Sequence, residues 1–160
     1  MTGIMPIDYI AASLQPLAFE GPAPYAMERF LAMMPEGFEV PDAAAGTGSP
    51  RWREIETQLR NAMAVARGKE KYIRPSSGCD IYWQNRIAAA FQEKNPLKRE
   101  TLIDRTWWDA AGELTPVSSP LSMGALETYA IRLGIVLKRN GIARDAGDEI
   151  FGRLTDAAEV

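Results

Sequence analysis

Apolar residues recur at helical spacing from residue 50 onward. The most regular stretch begins at Ser49, a residue type that caps helix N-termini, with Pro50 in the first helical position. Gly68 stands where a glycine commonly ends a helix, and Glu56 falls on the polar face opposite the apolar one. The pattern predicts one amphipathic helix with an apolar stripe made of Trp52, Ile55, Leu59, Ala62, Met63 and Ala66.

Four further helices are predicted downstream, over residues 80–94, 97–112, 122–139 and 143–158. Asp80 is a suitable N-cap for the first of them, Pro96 opens the second, and the Asn140-Gly141 pair is expected to separate the last two. Short connections between helices favour antiparallel neighbours in a bundle. The residues expected to face the core are Trp83, Ile87, Ala90, Phe91, Leu102, Ile103, Leu126, Tyr129, Leu133, Val136, Leu137, Ala146, Ile150, Leu154 and Ala157.

The first 49 residues are interrupted by prolines and predict a less regular segment. One short helix is expected over 25–34, opened by Pro24, whereas the apolar stretch 7–14 is too short to distinguish a strand from a helix. Residues 42–50 are small and turn-forming and predict a flexible loop. The chain of 160 residues is therefore expected to form a single, mainly α domain: a bundle of five to six helices with an irregular, proline-rich N-terminal segment.

The net charge of −3 conceals an uneven distribution. Residues 1–50 carry six acidic residues and one basic residue, whereas residues 51–74 carry seven basic and three acidic ones. An acidic chain argues against general nucleic-acid binding, and the basic stretch is either a solvated helix face or a docking surface for an acidic partner. The candidate partner-binding residues in this stretch are Arg60, Arg67, Lys69, Lys71 and Arg74.

Trp107 and Trp108 are the other candidates for partner binding. Adjacent residues of a helix point about 100° apart, so both rings cannot lie on one narrow stripe. One tryptophan is expected in the core with the other over a helix seam. Alternatively, one is exposed as an anchor, because tryptophan is enriched at binding hot spots.

The composition leaves little room for catalysis. Histidine is absent and Cys79 is the single cysteine, which excludes histidine-based triads, histidine metal sites and intrachain disulfides. The acidic residues Asp145, Asp148 and Glu149 resemble a hard-cation cluster, but acidic residues in a first helical turn more simply stabilise its positive end. We expect no catalytic residue, metal or cofactor, and an enzyme that uses carboxylates alone is the least favoured alternative.

Neither an export signal nor a membrane-spanning stretch is expected from the sequence. The N-terminus has no basic residue before its first apolar stretch, and the most apolar later run is far shorter than the ~20 residues of a spanning helix. With one unpaired cysteine, this pattern predicts a cytoplasmic protein.

Seven segments of the chain carry a resemblance: DYIAASLQPL at 8–17, MERFL at 27–31 after Pro24, LRNA at 59–62, YIRP at 72–75, NPL at 95–97, DRTWWD at 104–109 and LETYAIRL at 126–133. In this order they resemble a bacterial family of small proteins encoded among V-type ATPase genes. The similarity implies a non-catalytic accessory or stalk-type subunit, or an assembly factor, with V-type ATPase subunits as partners at the cytoplasmic face of the membrane. The helical motifs are more loosely similar to the C/d-type stalk component, which couples the rotor shaft to the membrane ring. An independent regulatory module that binds another protein or a small anionic ligand is the alternative.

Overall fold

The computed structural model describes residues 5–75 and 80–158. Within these ranges the chain forms six α-helices and two single 3₁₀ turns, and its β-structure is confined to one isolated bridge. The mainly α fold class is therefore confirmed. The helices are α1 (Ile7–Ser13), α2 (Met27–Met33), α3 (Pro50–Ala66), α4 (Ile81–Gln92), α5 (Pro96–Ala111) and α6 (Met123–Ala158).

Local capping explains where the middle helices begin and end. The side chains of Ser49, Asp80 and Asn95 each accept a hydrogen bond from a backbone N–H in the first turn of α3, α4 and α5. At the end of α3, Gly68 has φ +70°, its N–H donates to the carbonyl of Val65, and the N–H of Lys69 donates to the carbonyl of Ala64. This Schellman arrangement confirms the predicted end of the helix.

α3 and α4 run parallel, which corrects the expectation of antiparallel neighbours throughout. Gln58, in the middle of α3, contacts Asp80 at the start of α4, and Arg67, at the end of α3, contacts Phe91 near the end of α4. The two helices therefore run in the same direction. Parallel neighbours need a return path. The connection 67–80 supplies it, and it is longer than the two links that follow it, 93–95 and 112–122.

α5 runs antiparallel to α6. Trp108 near the end of α5 contacts Arg132, whereas Glu100 near its start contacts Lys138, six residues later on α6. α4 and α5 are joined by residues 93–95 only, and this short link also makes them antiparallel.

The core has two parts. One lies among α3, α4, α5 and α6 and includes the fully buried Leu59 and Ile87. The other lies where the N-terminal segment packs on α6 and includes Phe30, which has no exposed surface. The N-terminal segment is therefore part of the packed structure, with two short helices rather than the single one that was expected.

α6 is one continuous helix of 36 residues, so the predicted break at Asn140-Gly141 is wrong. The Asn140 side chain accepts a hydrogen bond from the N–H of Ala23 at 2.8 Å and donates to the carbonyl of Gly21 at 3.2 Å. An asparagine with tertiary partners does not need to end its helix. The side chains of 145–152 and 154–158 lie outside the described residues, as do the burial predictions and the acidic cluster placed there.

Three burial predictions are also wrong. Leu102 is 44% exposed and Ala66 is exposed, because neither packs against the buried core. Glu56, predicted on the polar face of α3, is buried because residues 42–47 pack over it. Its carboxylate accepts the N–H of Ala43 and pairs with the guanidinium of Arg60 at 3.1 Å.

Residues 42–50, which were expected to form a flexible loop, contain a defined turn. Asp42 and Thr47 exchange two backbone hydrogen bonds, and the N–H of Ser49 donates to the Glu127 carboxylate at 2.9 Å. Gly48 has φ +87°, and a Cβ at this position would lie 2.6 Å from the Cβ of Pro41. Only glycine fits this close approach. The turn therefore connects the N-terminal segment to the first residues of α3.

Candidate functional site

An open groove of about 600 Å³ lies between α3 and α4. One of its walls is the segment 67–75, which we call the strap. None of the described carboxylates lines the groove. Its lining residues are Gln58, Asn61, Ala62, Val65, Ala66, Ile73, Arg74, Pro75, Gln84, Asn85 and Ala88.

Small side chains keep the groove open above a closed helix contact. Leu59 and Ile87 fill the space between α3 and α4 at the level of the core, and both have no exposed surface. Alanines line both helices above that level, and they leave the space unfilled. Val65 and Ile73 consequently remain 52% and 44% exposed inside an apolar depression. Concave apolar surface of this kind is typical of a binding site.

The strap is held to α3 through its backbone. The Asn61 side-chain amide donates to the carbonyl of Arg74 at 2.8 Å, and its oxygen accepts the N–H of the same residue at 2.9 Å. Further along the chain, the side-chain oxygen of Gln58 accepts the N–H of Asp80 at 3.0 Å. The main chain of the strap is thus fixed at Arg74 while its charged side chains remain exposed.

Four of the five predicted basic residues lie on the strap, and with Glu70 they give it a formal charge of +3. Among the described residues, none of the four forms an ion pair with a carboxylate. The guanidinium of Arg67 lies 5.5 Å from the centre of the Phe91 ring, and the ammonium of Lys71 lies 5.1 Å from that of Tyr72. The four strap cations are Arg67, Lys69, Lys71 and Arg74.

The fifth predicted basic residue, Arg60, differs from the strap cations because it is paired with buried Glu56. It is not among the residues that line the groove. It lines smaller cavities, one of which shares Asn61 and Arg74 with the groove, while another contains the partly buried Trp107. The interpretation that one tryptophan covers a seam is confirmed by this position of Trp107 between α3, α5 and α6.

Trp108 belongs to the core, so its prediction as a docking residue is wrong. It is 8% exposed, its ring meets Phe19 edge-on at 5.5 Å, and the guanidinium of Arg132 lies 4.9 Å from its centre. The two tryptophans differ because consecutive helical residues diverge by about 100°, and only one of them can face the centre of the bundle.

Two carboxylates of α5 are held by cations. Asp104 is buried and pairs with Lys138 and with Arg139, and Asp109 pairs with Arg86 at 2.6 Å. No group of three or more histidine, cysteine, aspartate or glutamate side chains within 5–75 and 80–158 is arranged to hold a metal ion. Cys79, which was expected to have a plain small-residue role, lies outside the described residues.

Two side chains on α6 have shifted pKa values, and both lie away from the groove. Burial lowers the pKa of the Arg132 guanidinium, while the nearby Asp109 carboxylate acts in the opposite direction. Burial, with a smaller contribution from Tyr25, raises the pKa of Tyr129 to about 12. The Tyr129 hydroxyl donates to the carbonyl of Gln15 at 2.7 Å, so this residue links α6 to the N-terminal segment.

The amide side chains of the groove were missed in the sequence, although a signal for them was present. Gln58, Asn61 and Val65 are spaced three and four positions apart on α3, which places them beside the apolar stripe. On α4, Gln84 and Asn85 lie four and three positions before Ala88, which places all three side chains near one face of that helix. On each helix, amide and small side chains lie beside the apolar stripe. This pattern indicates that the facing surfaces of α3 and α4 are in contact along only part of their width.

Comparison with known protein families, curated proteins and solved structures found no match. The resemblance to the ATPase-associated family therefore rests on the sequence segments alone. Within the described part of the chain, no helix combines the length and the apolar character that a membrane crossing requires.

Proposed function

We propose that this protein is a non-catalytic interaction subunit or assembly factor of a bacterial V-type ATPase, bound at the cytoplasmic face of the membrane through protein–protein contacts. The observation that carries the proposal is the groove between α3 and α4, with its apolar floor and its strap of exposed cations. The sequence resemblance supplies the class of partner.

The surface around the groove supports a protein partner. Tyr72, Ile81 and Tyr82 are 62%, 66% and 59% exposed, and they lie on the strap and at the start of α4. Aromatic residues are enriched at protein interfaces, where they supply large contact areas at a low entropic cost. An apolar centre beside a charged rim matches the usual organisation of such an interface.

Recovery of the protein with its partners from its native host tests the proposal. An N-terminally tagged chain is expressed there, crosslinked and purified, and V-type ATPase subunits are expected in the eluate. Val65→Glu, which places a charge in the groove, is expected to reduce their recovery about tenfold or more. Leu102→Glu is the matched control, because Leu102 is a similarly exposed apolar residue on α5. Absence of every ATPase subunit from the wild-type eluate contradicts the proposal.

An independent module that binds a small anionic ligand is the second candidate. Its support is the volume of the groove, which lies within the ~300–1,000 Å³ of small-molecule sites, together with Arg74 in the wall. A thermal-shift screen with phosphate- and carboxylate-bearing metabolites distinguishes the two functions. A rise of several degrees that is lost in Arg74→Ala favours the small ligand, because binding to the folded state stabilises it by mass action.

A further inference from the structure

We infer that the segment occupying the groove is an acidic amphipathic helix of the partner, with its carboxylates along the strap and its uncharged side along α4. This inference rests on the proposed docking function and specifies the chemistry of the partner. It is carried by three observations: the distribution of charge on the two walls, the pairing of the strap backbone, and the direction of the groove.

The two walls of the groove differ in charge. The strap contributes Arg74 to the lining and carries three further cations without ion-pair partners among the described residues. The α4 wall consists of Gln84, Asn85 and Ala88, none of which is charged. A partner that carries carboxylates on one side and uncharged residues on the other is complementary to both walls. A basic partner would instead be repelled by the cations of the strap.

At Arg74, which lines the groove, the backbone of the strap is not available for pairing with an extended peptide. A strand that adds to an edge needs free N–H and C=O groups, and those of Arg74 are both engaged by Asn61. Recognition at Arg74 must therefore come from side chains projecting into the groove. A helix provides such side chains because its own backbone groups are satisfied internally.

The length and direction of the groove fit two turns of a helix. On α3 its lining extends from Gln58 to Ala66, which corresponds to roughly 12 Å along the helix axis. Two turns of a docked helix have a similar length and place apolar side chains at positions i, i+3 or i+4, and i+7. Val65 and Ile73 are the exposed apolar surfaces that these side chains would cover.

The cations are spread along the strap rather than directed at one point. Arg67 reaches the Phe91 ring on α4, Lys71 lies over Tyr72 within the strap, and Arg74 lines the groove itself. This arrangement suits several carboxylates spaced along a segment better than one compact anion. Because the cations are exposed, we expect their contribution to depend on ionic strength.

Site-specific crosslinking within the complex tests the inference. A photoreactive benzoylphenylalanine replaces Val65 in the tagged chain, and a second protein carries it at Leu102 as the matched control. After irradiation of the purified ATPase complex, the crosslinked peptides are identified by mass spectrometry. We expect the residue at position 65 alone to capture an ATPase subunit, through a peptide with net negative charge and apolar residues at helical spacing.

A charge-reversal pair supplies an independent measurement. Lys69→Glu, Lys71→Glu and Arg74→Glu together are expected to lower recovery of the captured subunit about tenfold or more. The control reverses three other exposed cations, Arg53, Lys94 and Lys98, and is expected to leave recovery within about twofold. Circular dichroism establishes that both variants keep the helical content of the wild type.

The possible failures point to different conclusions. A crosslinked peptide that is net basic or lacks helical periodicity overturns the acidic helix and leaves the docking function intact. Capture from position 102 but not from position 65, with the ATPase present, shows that docking uses another face. Absence of the ATPase from the wild-type preparation contradicts the proposed function itself.

Discussion

Two helix contacts of this protein use charged residues in opposite ways. Between α5 and α6, buried Asp104 pairs with Lys138 and Arg139, and Arg132 donates to the carbonyl of Trp108 at 3.0 Å. Beside α3 and α4, the strap cations have no carboxylate partner among the described residues, and the helices part to leave a groove.

The difference separates charge that stabilises the fold from charge that is available to a partner. A buried carboxylate has to be paired, because an isolated one would remain desolvated without compensation. An exposed cation has no such requirement and contributes little to stability whether paired or not. Substitutions in the first contact should therefore change the stability of the protein, whereas substitutions around the groove should change binding.

The largest expected effect is on the free energy of unfolding, and it separates the buried floor of the α3–α4 contact from the open groove above it. Leu59→Ala removes a side chain with no exposed surface and is expected to lower the free energy of unfolding by about 3 kcal/mol. Val65→Ala, one turn and a half along the same helix, is expected to lower it by less than about 0.5 kcal/mol, because Val65 is half exposed. Urea denaturation measures both values. Equal losses would show that the groove is closed in solution.

Removing the buried carboxylate of α5 should have the next largest effect. Asp104→Ala leaves Lys138 and Arg139 without their common partner and is expected to cost about 2–3 kcal/mol. Partial exposure of Lys138 keeps the value below that of a fully buried pair.

Glu100→Ala is the control for this prediction, since Glu100 contacts the same lysine at 3.4 Å but is half exposed. We expect a change below about 0.5 kcal/mol. If the two substitutions have equal effects, the burial of Asp104 does not contribute to stability.

Asn61→Ala tests whether the strap depends on a single side chain. The substitution removes both hydrogen bonds to the backbone of Arg74 and is expected to cost about 1 kcal/mol, because the site is exposed. Hydrogen exchange of the Arg74 amide should accelerate about fivefold or more. Asn85→Ala on the opposite wall should leave that amide unchanged. Unchanged protection in Asn61→Ala would mean that other contacts hold the strap.

The smallest expected effect is a pH dependence of the folding stability that arises from Tyr129, which lies on α6 away from the groove. Because the pKa of Tyr129 is raised to about 12, the folded state holds this proton more tightly than the unfolded state. The stability it contributes is complete below about pH 10 and is lost as the pH rises through 12.

Tyr129→Phe has no proton to lose and should show a shallower decline in stability between those two pH values. Absorbance of the phenolate follows the titration, and thermal unfolding follows the stability. If the stability of the variant and that of the wild type decline equally, groups other than Tyr129 cause the loss of stability at high pH.

The middle of the fold was predictable because its signals are local. Ser49, Asp80 and Asn95 each cap the helix that follows them, and Gly68 ends α3 with its neighbours in sequence. These contacts span only a few residues. Sequence spacing alone therefore locates α3, α4 and α5 to within about two residues.

Features that depend on distant partners were not predictable in this way. Asn140 remains helical because it binds the segment near Gly21 and Ala23, more than one hundred residues earlier. Glu56 is buried by a turn whose position over α3 has no local signal. The groove depends on the parallel direction of α3 and α4, which has no local signal. The basic residues of the strap could therefore be predicted from the sequence, but the cavity beside them could not.

The continuity of α6 has a mechanical consequence. Beyond Asn140, which fixes the helix to the N-terminal segment, the helix continues to Ala158 without interruption, a further length of roughly 27 Å. A straight α-helix bends little over such a distance. A tilt of about 5° at Asn140 would therefore move the far end by roughly 2 Å, so α6 would act as a lever that amplifies small shifts of the N-terminal segment.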